Sequence, residues 1–134
     1  MLYALKMHKS SQQSLGPNEQ ASSALSERRI VLKFGSRLLT GDQAELDPER
    51  MASVARAVAA EPKTEAVIVS SGAIAAGFKT LGHASPPKRI QDRQAAAAVG
   101  QGRLMSLWDD AFRAVGLKVA QVLLTNDCLT DRRR

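Results

Sequence analysis

Two short stretches carry residue types that handle negatively charged groups, and a third marks another strand end. In the first, Lys33-Phe34-Gly35-Ser36, a lysine stands at the exit of an apolar run and glycine follows almost at once. A lysine there, beside the open backbone amides of Gly35 and Ser36, can neutralise phosphoryl oxygens. The plainer reading is an edge-strand lysine whose ammonium reaches out to water. The second stretch, VIVSSGAIAAGFKT over residues 67–80, comes close to the phosphate-binding pattern GxxxxGK[ST]. Gly72 and Gly77 have the right separation, but Phe78 intervenes before Lys79, and one extra helical residue turns a side chain by about 100°. The interior AIAA also favours continued helix over an irregular cradle. A phosphate loop built on Lys79 is therefore rejected. What survives is a helix start, where free amides, the positive end of the helix dipole and the hydroxyls of Ser70 and Ser71 make a small anion site. Simple capping by Ser71 is the competing account. The third stretch, Thr125 to Asp127, closes another apolar run.

The elements that position these groups follow from periodicity. IVLKF, beginning at Ile30, reads as a buried strand that leaves its sheet at Gly35. Asp47 caps a helix with Pro48 at its first position and Met51, Val54 and Val58 on one face, ended by Glu61 and Pro62. AVIVS is a second buried strand, and a helix over 72–81 follows, with Ile74, Phe78 and Leu81 on one side and Gly82 closing it. The linker HASPPKR is not helical. From Ile90 to Val115, Leu104, Leu107, Trp108, Ala111, Phe112 and Val115 repeat at helical spacing, with a break allowed near Gly100 and Gly102. KVAQVLLT is a third strand. The order β, α, β, α, α, β implies an α/β fold with a parallel sheet covered on both faces. Ligands in such folds gather beyond the carboxyl ends of the strands, where all three stretches lie.

Composition narrows the function classes. The chain has 134 residues, 44% hydrophobic and 24% charged, which suits one soluble globular domain. The net charge of +6 is scattered apart from Arg132 to Arg134, and aromatic residues make up only 4%, which argues against a nucleic-acid binder. No apolar run approaches the roughly 18 to 20 residues of a membrane span, so a cytoplasmic protein is expected. The single cysteine, Cys128, excludes a disulfide framework and a cysteine-rich metal site. His83, beside a proline linker and without companion ligands, is read as structural or solvated. Residues 1–28, rich in Ser and Gln and without a sustained period, are expected to form a flexible leader.

The motifs VLKFGSRLLTG, VIVSSGAIAAG, QAAAAVGQGRLMSLW and QVLLT, in this order, resemble the amino-terminal half of glutamate 5-kinases, in the amino acid kinase superfamily. The similarity covers residues 29–134. It implies a three-layer αβα sandwich with a mainly parallel sheet, and ATP-dependent phosphorylation of the side-chain carboxylate of L-glutamate, the first step of proline biosynthesis. By the same resemblance, Lys33 contacts the transferred phosphate, Gly35 and Ser36 form the adjoining loop, and Ser71 with Gly72 helps to hold glutamate. ATP and Mg2+ are the implied cofactors, and L-glutamate the implied partner, with neither nucleic acid nor membrane and with a homo-oligomer left open. Members of the family continue beyond LTDRRR into the nucleotide-binding half, so the isolated chain is expected to be weakly active or inactive. A kinase for another small acid and a noncatalytic assembly partner are the alternatives.

Overall fold

The structure, a computed structural model, describes residues 2–9, 28–41, 44–61 and 64–124. Strand β1 (Leu2–Lys9) is followed by β2 (Arg28–Phe34) and the short helix α1 (Ser36–Leu39). Helix α2 (Pro48–Ala59), strand β3 (Thr64–Ser70) and helix α3 (Ala73–Gly77) come next, then a 3-10 turn (Lys79–Leu81). The long helix α4 (Ile90–Arg113) leads into strand β4 (Leu117–Leu124). The strands lie side by side in the order β2-β3-β1-β4.

Strands β2 and β3 pair in parallel, from Arg28 opposite Thr64 to Phe34 opposite Ser70. In the expected leader, the structure instead puts Leu2–Lys9 between β3 and β4 as an antiparallel strand, Lys6 facing both Val67 and Ala120. The local pattern of LYALKMHK did not announce it. Pairing with two neighbours satisfies its backbone on both edges, and such context outweighs intrinsic strand preference.

Alternation decides which face of the sheet is buried. Ile30, Leu32 and Phe34 of β2, Ala66 and Ile68 of β3, and Leu117 and Val119 of β4 all join the core under the helices. Arg29, Val31 and Lys33 are exposed on the other face of β2. The two crossovers, through α2 and through α3 with α4, step across the sheet in the same direction. Right-handed connections then place both on one face. Among the described residues the fold is therefore two layers, a sheet and one helical layer. Val31, 65% exposed, and Val122, 45% exposed, stand on the side that no described helix covers.

The helices form where their sequence signals lie. The Asp47 carboxylate accepts from the amides of Glu49 and Arg50, with Pro48 at the first position of α2, and Met51, Ala55 and Val58 are buried. Helix α4 runs unbroken through Gly100 and Gly102, burying Ala96, Gly100, Leu104, Trp108, Ala111 and Phe112. The glycine that might have broken it is there for contact: a Cβ on Gly100 would sit 1.9 Å from the carbonyl oxygen of Ala73, and one on Gly77 would sit 2.1 Å from that of Ala96. Backbone meets backbone at the α3–α4 crossing, and only glycine leaves room.

Candidate active site at the strand ends

The parallel register brings the ends of β2 and β3 level, and a direct bond joins them. The Ser71 amide donates to the Phe34 carbonyl at 3.1 Å, and the Ser71 hydroxyl donates to the same oxygen at 3.2 Å. Gly35 and Ser36, which follow Phe34, are thereby held next to Ser71 and Gly72. Four of the five expected site residues are brought together by these two bonds. Lys33 lies one step back on β2, opposite Val69. Its side chain is exposed on the edge strand and makes no ion pair among the described residues. An edge lysine facing water looks like this, and the same exposure leaves its ammonium open to an incoming anion.

The capping role considered for Ser71 is not what forms. Its hydroxyl is spent on Phe34, and the residue that starts α3 is Gly72, with φ of 132° and no side-chain cap. That backbone angle belongs to glycine. A Cβ at Gly72 would also approach within 3.0 Å of Leu46 Cδ2. Leu46 is held over the crevice by a bridge between Thr40 and Leu46 and by the bond from the Asp47 amide to the Leu39 carbonyl, 2.8 Å. Lys79 pairs with Glu45 at 3.0 Å, which ties the 3-10 turn to this loop.

The helix expected over 72–81 is shorter than its apolar pattern suggests. It ends at Gly77, because Phe78 is fully buried and its carbonyl accepts from the amides of Leu81 and His83, drawing the chain into a tight turn. Leu81 is 41% exposed instead of packing on the helix's inner side, while Gly82 does close the turn at φ of 78°. Five residues carry only a small dipole, so what the start of α3 can offer an anion is local amides more than a macrodipole. The first backbone bond of α3 runs from Ala76 to Gly72, so the amides of residues 73–75 have no acceptor within the helix.

Beneath Ser71, Ser70 is only 2% exposed. Its hydroxyl accepts from the Trp108 indole N–H at 3.1 Å and donates to the Ser71 carbonyl at 3.2 Å. The Trp108 ring lies 6.1 Å from that of Phe34. One buried side chain thus braces both strand ends. Ser70 belongs to the support of the site, not to its open wall. Sequence reading missed this brace; its signal was a tryptophan on the same apolar stripe as Leu104 and Phe112. Thr125 to Asp127 and Cys128 lie outside the described residues. An apolar groove of about 360 Å³ between β2 and α2, lined by Ile30, Leu32, Val54 and Val58 among others, offers almost no polar group to an anion and is not the site.

Residues 28–134 match the sequence profile of the amino acid kinase family. The chain belongs to that family. Among curated members, a protein named Glutamate 5-kinase from Citrifermentans bemidjiense is 50% identical over 109 residues, 80% of this chain and 29% of its own length. The Glutamate 5-kinase of Thermus thermophilus is 52% identical over 112 residues, 82% of this chain and 30% of its own. That of Dehalococcoides mccartyi is 49% identical over 107 residues, 78% of this chain and 29% of its own. The chain spans about three-tenths of the length of the family members it matches. Both candidate stretches of the strand-end site before residue 124, 33–36 and 67–80, lie inside the matched segment. Among the described residues no helix is long and apolar enough to cross a membrane.

Proposed function

We propose that this chain supplies the acceptor side of an ATP-dependent kinase that converts L-glutamate to L-glutamyl 5-phosphate, the first step of proline biosynthesis, in the cytoplasm. The observation that carries the reading is the bond pair from Ser71 to Phe34. It sets a lysine-glycine-serine exit beside a serine-glycine exit, in a chain about half identical to proteins named Glutamate 5-kinase.

The chemistry asks little of the protein beyond placement. A side-chain carboxylate with a pKa of about 4.3 is ionised at neutral pH, so no general base is required. One carboxylate oxygen attacks the γ-phosphorus in line, the bond to the bridging oxygen breaks, and ADP leaves with that electron pair. Lys33 neutralises charge on the transferred phosphoryl group, and the backbone at Gly35 and Ser36 lines its approach. Nothing lies within 4 Å of where a Gly35 Cβ would be, so a phosphate can come up against the backbone there. Ser71 and Gly72 hold the acceptor on the other side. Alignment and charge neutralisation carry the rate.

The described residues contain no group of three or more His, Cys, Asp or Glu placed to hold a metal. Mg2+ fits this chain as an ion carried by nucleotide phosphates, which suits its preference for phosphate and water oxygens. A third layer would cover the sheet face that carries Val31, Lys33 and Val122, completing an αβα sandwich and bringing the nucleotide to Lys33.

The test is glutamate-dependent ADP release by the longest natural form of the protein, with Lys33→Ala beside it. Loss of a charge-stabilising group at the transferred phosphate lowers kcat by about 10²- to 10³-fold. Absence of glutamate-dependent turnover, or an unchanged rate in Lys33→Ala, would overturn the reading.

A further inference from the structure

One polar side chain in the helical layer is unaccounted for. Both polar atoms of the Gln101 carboxamide, Nε2 and Oε1, are buried and have no hydrogen-bond partner among the described residues. A buried amide left in that state is costly and calls for an explanation.

Its position can be read from its neighbours on α4. Going from Gly77 down to Ser70, the chain meets α4 in reverse order. Gly77 and Ala73 lie against Ala96 and Gly100, Gly72 faces Leu104 with 3.7 Å between its Cβ position and Leu104 Cδ1, and Ser70 bonds Trp108. Helix α4 therefore runs antiparallel to β3, and Trp108 stands at the end of the sheet. Gln101, seven residues earlier, lies on nearly the same side of the helix and about 10 Å farther along it. That is level with Gly72 and Ala73, past the strand ends. Helical side chains lean toward the amino terminus of their helix, which here carries the carboxamide past the strand ends, on the side of α4 that faces Ser70 and Phe34.

We propose that the Gln101 carboxamide is a substrate-binding group of this crevice, holding the amino-acid end of the acceptor. The inference rests on the kinase reading above. A carboxamide offers two donors and an acceptor side by side. An α-amino acid presents the complement, a carboxylate for Nε2 and an ammonium for Oε1, and its side-chain carboxylate is then free to extend toward Lys33. A lone phosphate or a simple carboxylate would leave Oε1 unpaired.

The experiment uses the longest natural form and L-glutamate as the probe. Gln101→Met keeps length and apolar stem but removes donor and acceptor. The expected result is a KM for L-glutamate raised at least about tenfold, the loss of a hydrogen bond to a charged group. KM for ATP should stay within about twofold. Without glutamate the variant should unfold at the same temperature as the parent or higher, since an unsatisfied amide is gone, and the rise in Tm that glutamate gives the parent should shrink. Gln101→Glu, placing a negative charge against the α-carboxylate, should bind glutamate still more weakly. The inference is overturned if Gln101→Met keeps its KM for glutamate. It also falls if Tm drops and both KM values worsen together, which would mark a packing role. A parent that binds glutamate by thermal shift but does not turn it over sinks the kinase reading and leaves the Gln101 comparison readable by Tm. A parent that does neither sinks both.

Discussion

Gly35 and Gly72 stand on either side of the same crevice, and a methyl group would do different things at each. Gly35 has φ of −72° and open space at its Cβ position. Gly35→Ala is expected to fold with unchanged Tm while raising KM for ATP, because a methyl would stand where a phosphate approaches; a thermal melt and an ATP titration check the two halves. Gly72 combines φ of 132° with Leu46 at 3.0 Å. Gly72→Ala should cost about 1 to 3 kcal/mol, the range for a non-glycine residue forced into such backbone, measured as a lowered urea midpoint. The two strand exits, at Lys33 to Ser36 and at Ser71 and Gly72, could be picked from sequence because glycine and polar atoms closing an apolar run are local patterns. The pair of hydrogen bonds from Ser71 to the Phe34 carbonyl could not. It depends on the register between two strands 37 positions apart, which no local signal fixes.

At the scale of elements, α3 and α4 touch through their backbones, whereas Gly102, two residues past Gly100, has nothing within 4 Å of its Cβ position. Gly100→Ala should therefore destabilise by about 3 kcal/mol or more, because the added carbon collides with backbone that has no rotamer to change. Gly102→Ala should stabilise by about 0.5 to 1 kcal/mol, the ordinary gain of alanine over glycine in a helix. Paired denaturant titrations of the two variants check this contrast. Asp47→Ala removes two accepted bonds at the start of α2 and should cost about 1 kcal/mol by the same measurement. The cap of α2, the stripe of α4 and the three strands after residue 28 were legible because each is written in neighbouring residues. The early end of α3 was not, since it is set by where Phe78 finds the core. β1 was missed for a related reason, because its pairing partners lie far away in sequence.

At the scale of the whole molecule, the helical layer on one face and the opposite face, which no described residues cover, set up an asymmetry that substitutions can read. Val31 and Val122 are exposed in the two-layer unit, so Val31→Asp should change the stability of the 134-residue chain by no more than about 0.5 kcal/mol. If a further layer of a longer natural form covers that face, the same change buries an unpaired carboxylate there and costs several-fold more. Comparing urea midpoints of the two forms checks it. The α/β class and the parallel pairing followed from alternating strands and helices. Coverage of both faces did not follow, because the strand residues on the open side, Val31, Val67 and Val122, are as apolar as those beneath the helices. Hydrophobic runs record that a face is suited to burial, not which element buries it.

The chain contains a single tryptophan, and its indole N–H donates to the Ser70 hydroxyl, which in turn donates to the Ser71 carbonyl. Tryptophan emission from this protein thus comes from one indole wedged under the joined ends of β2 and β3. A ligand that shifts Ser71 or the Phe34 carbonyl alters the polarity and hydrogen bonding of that indole directly. The strand-end crevice can be followed by fluorescence, in real time and without a label.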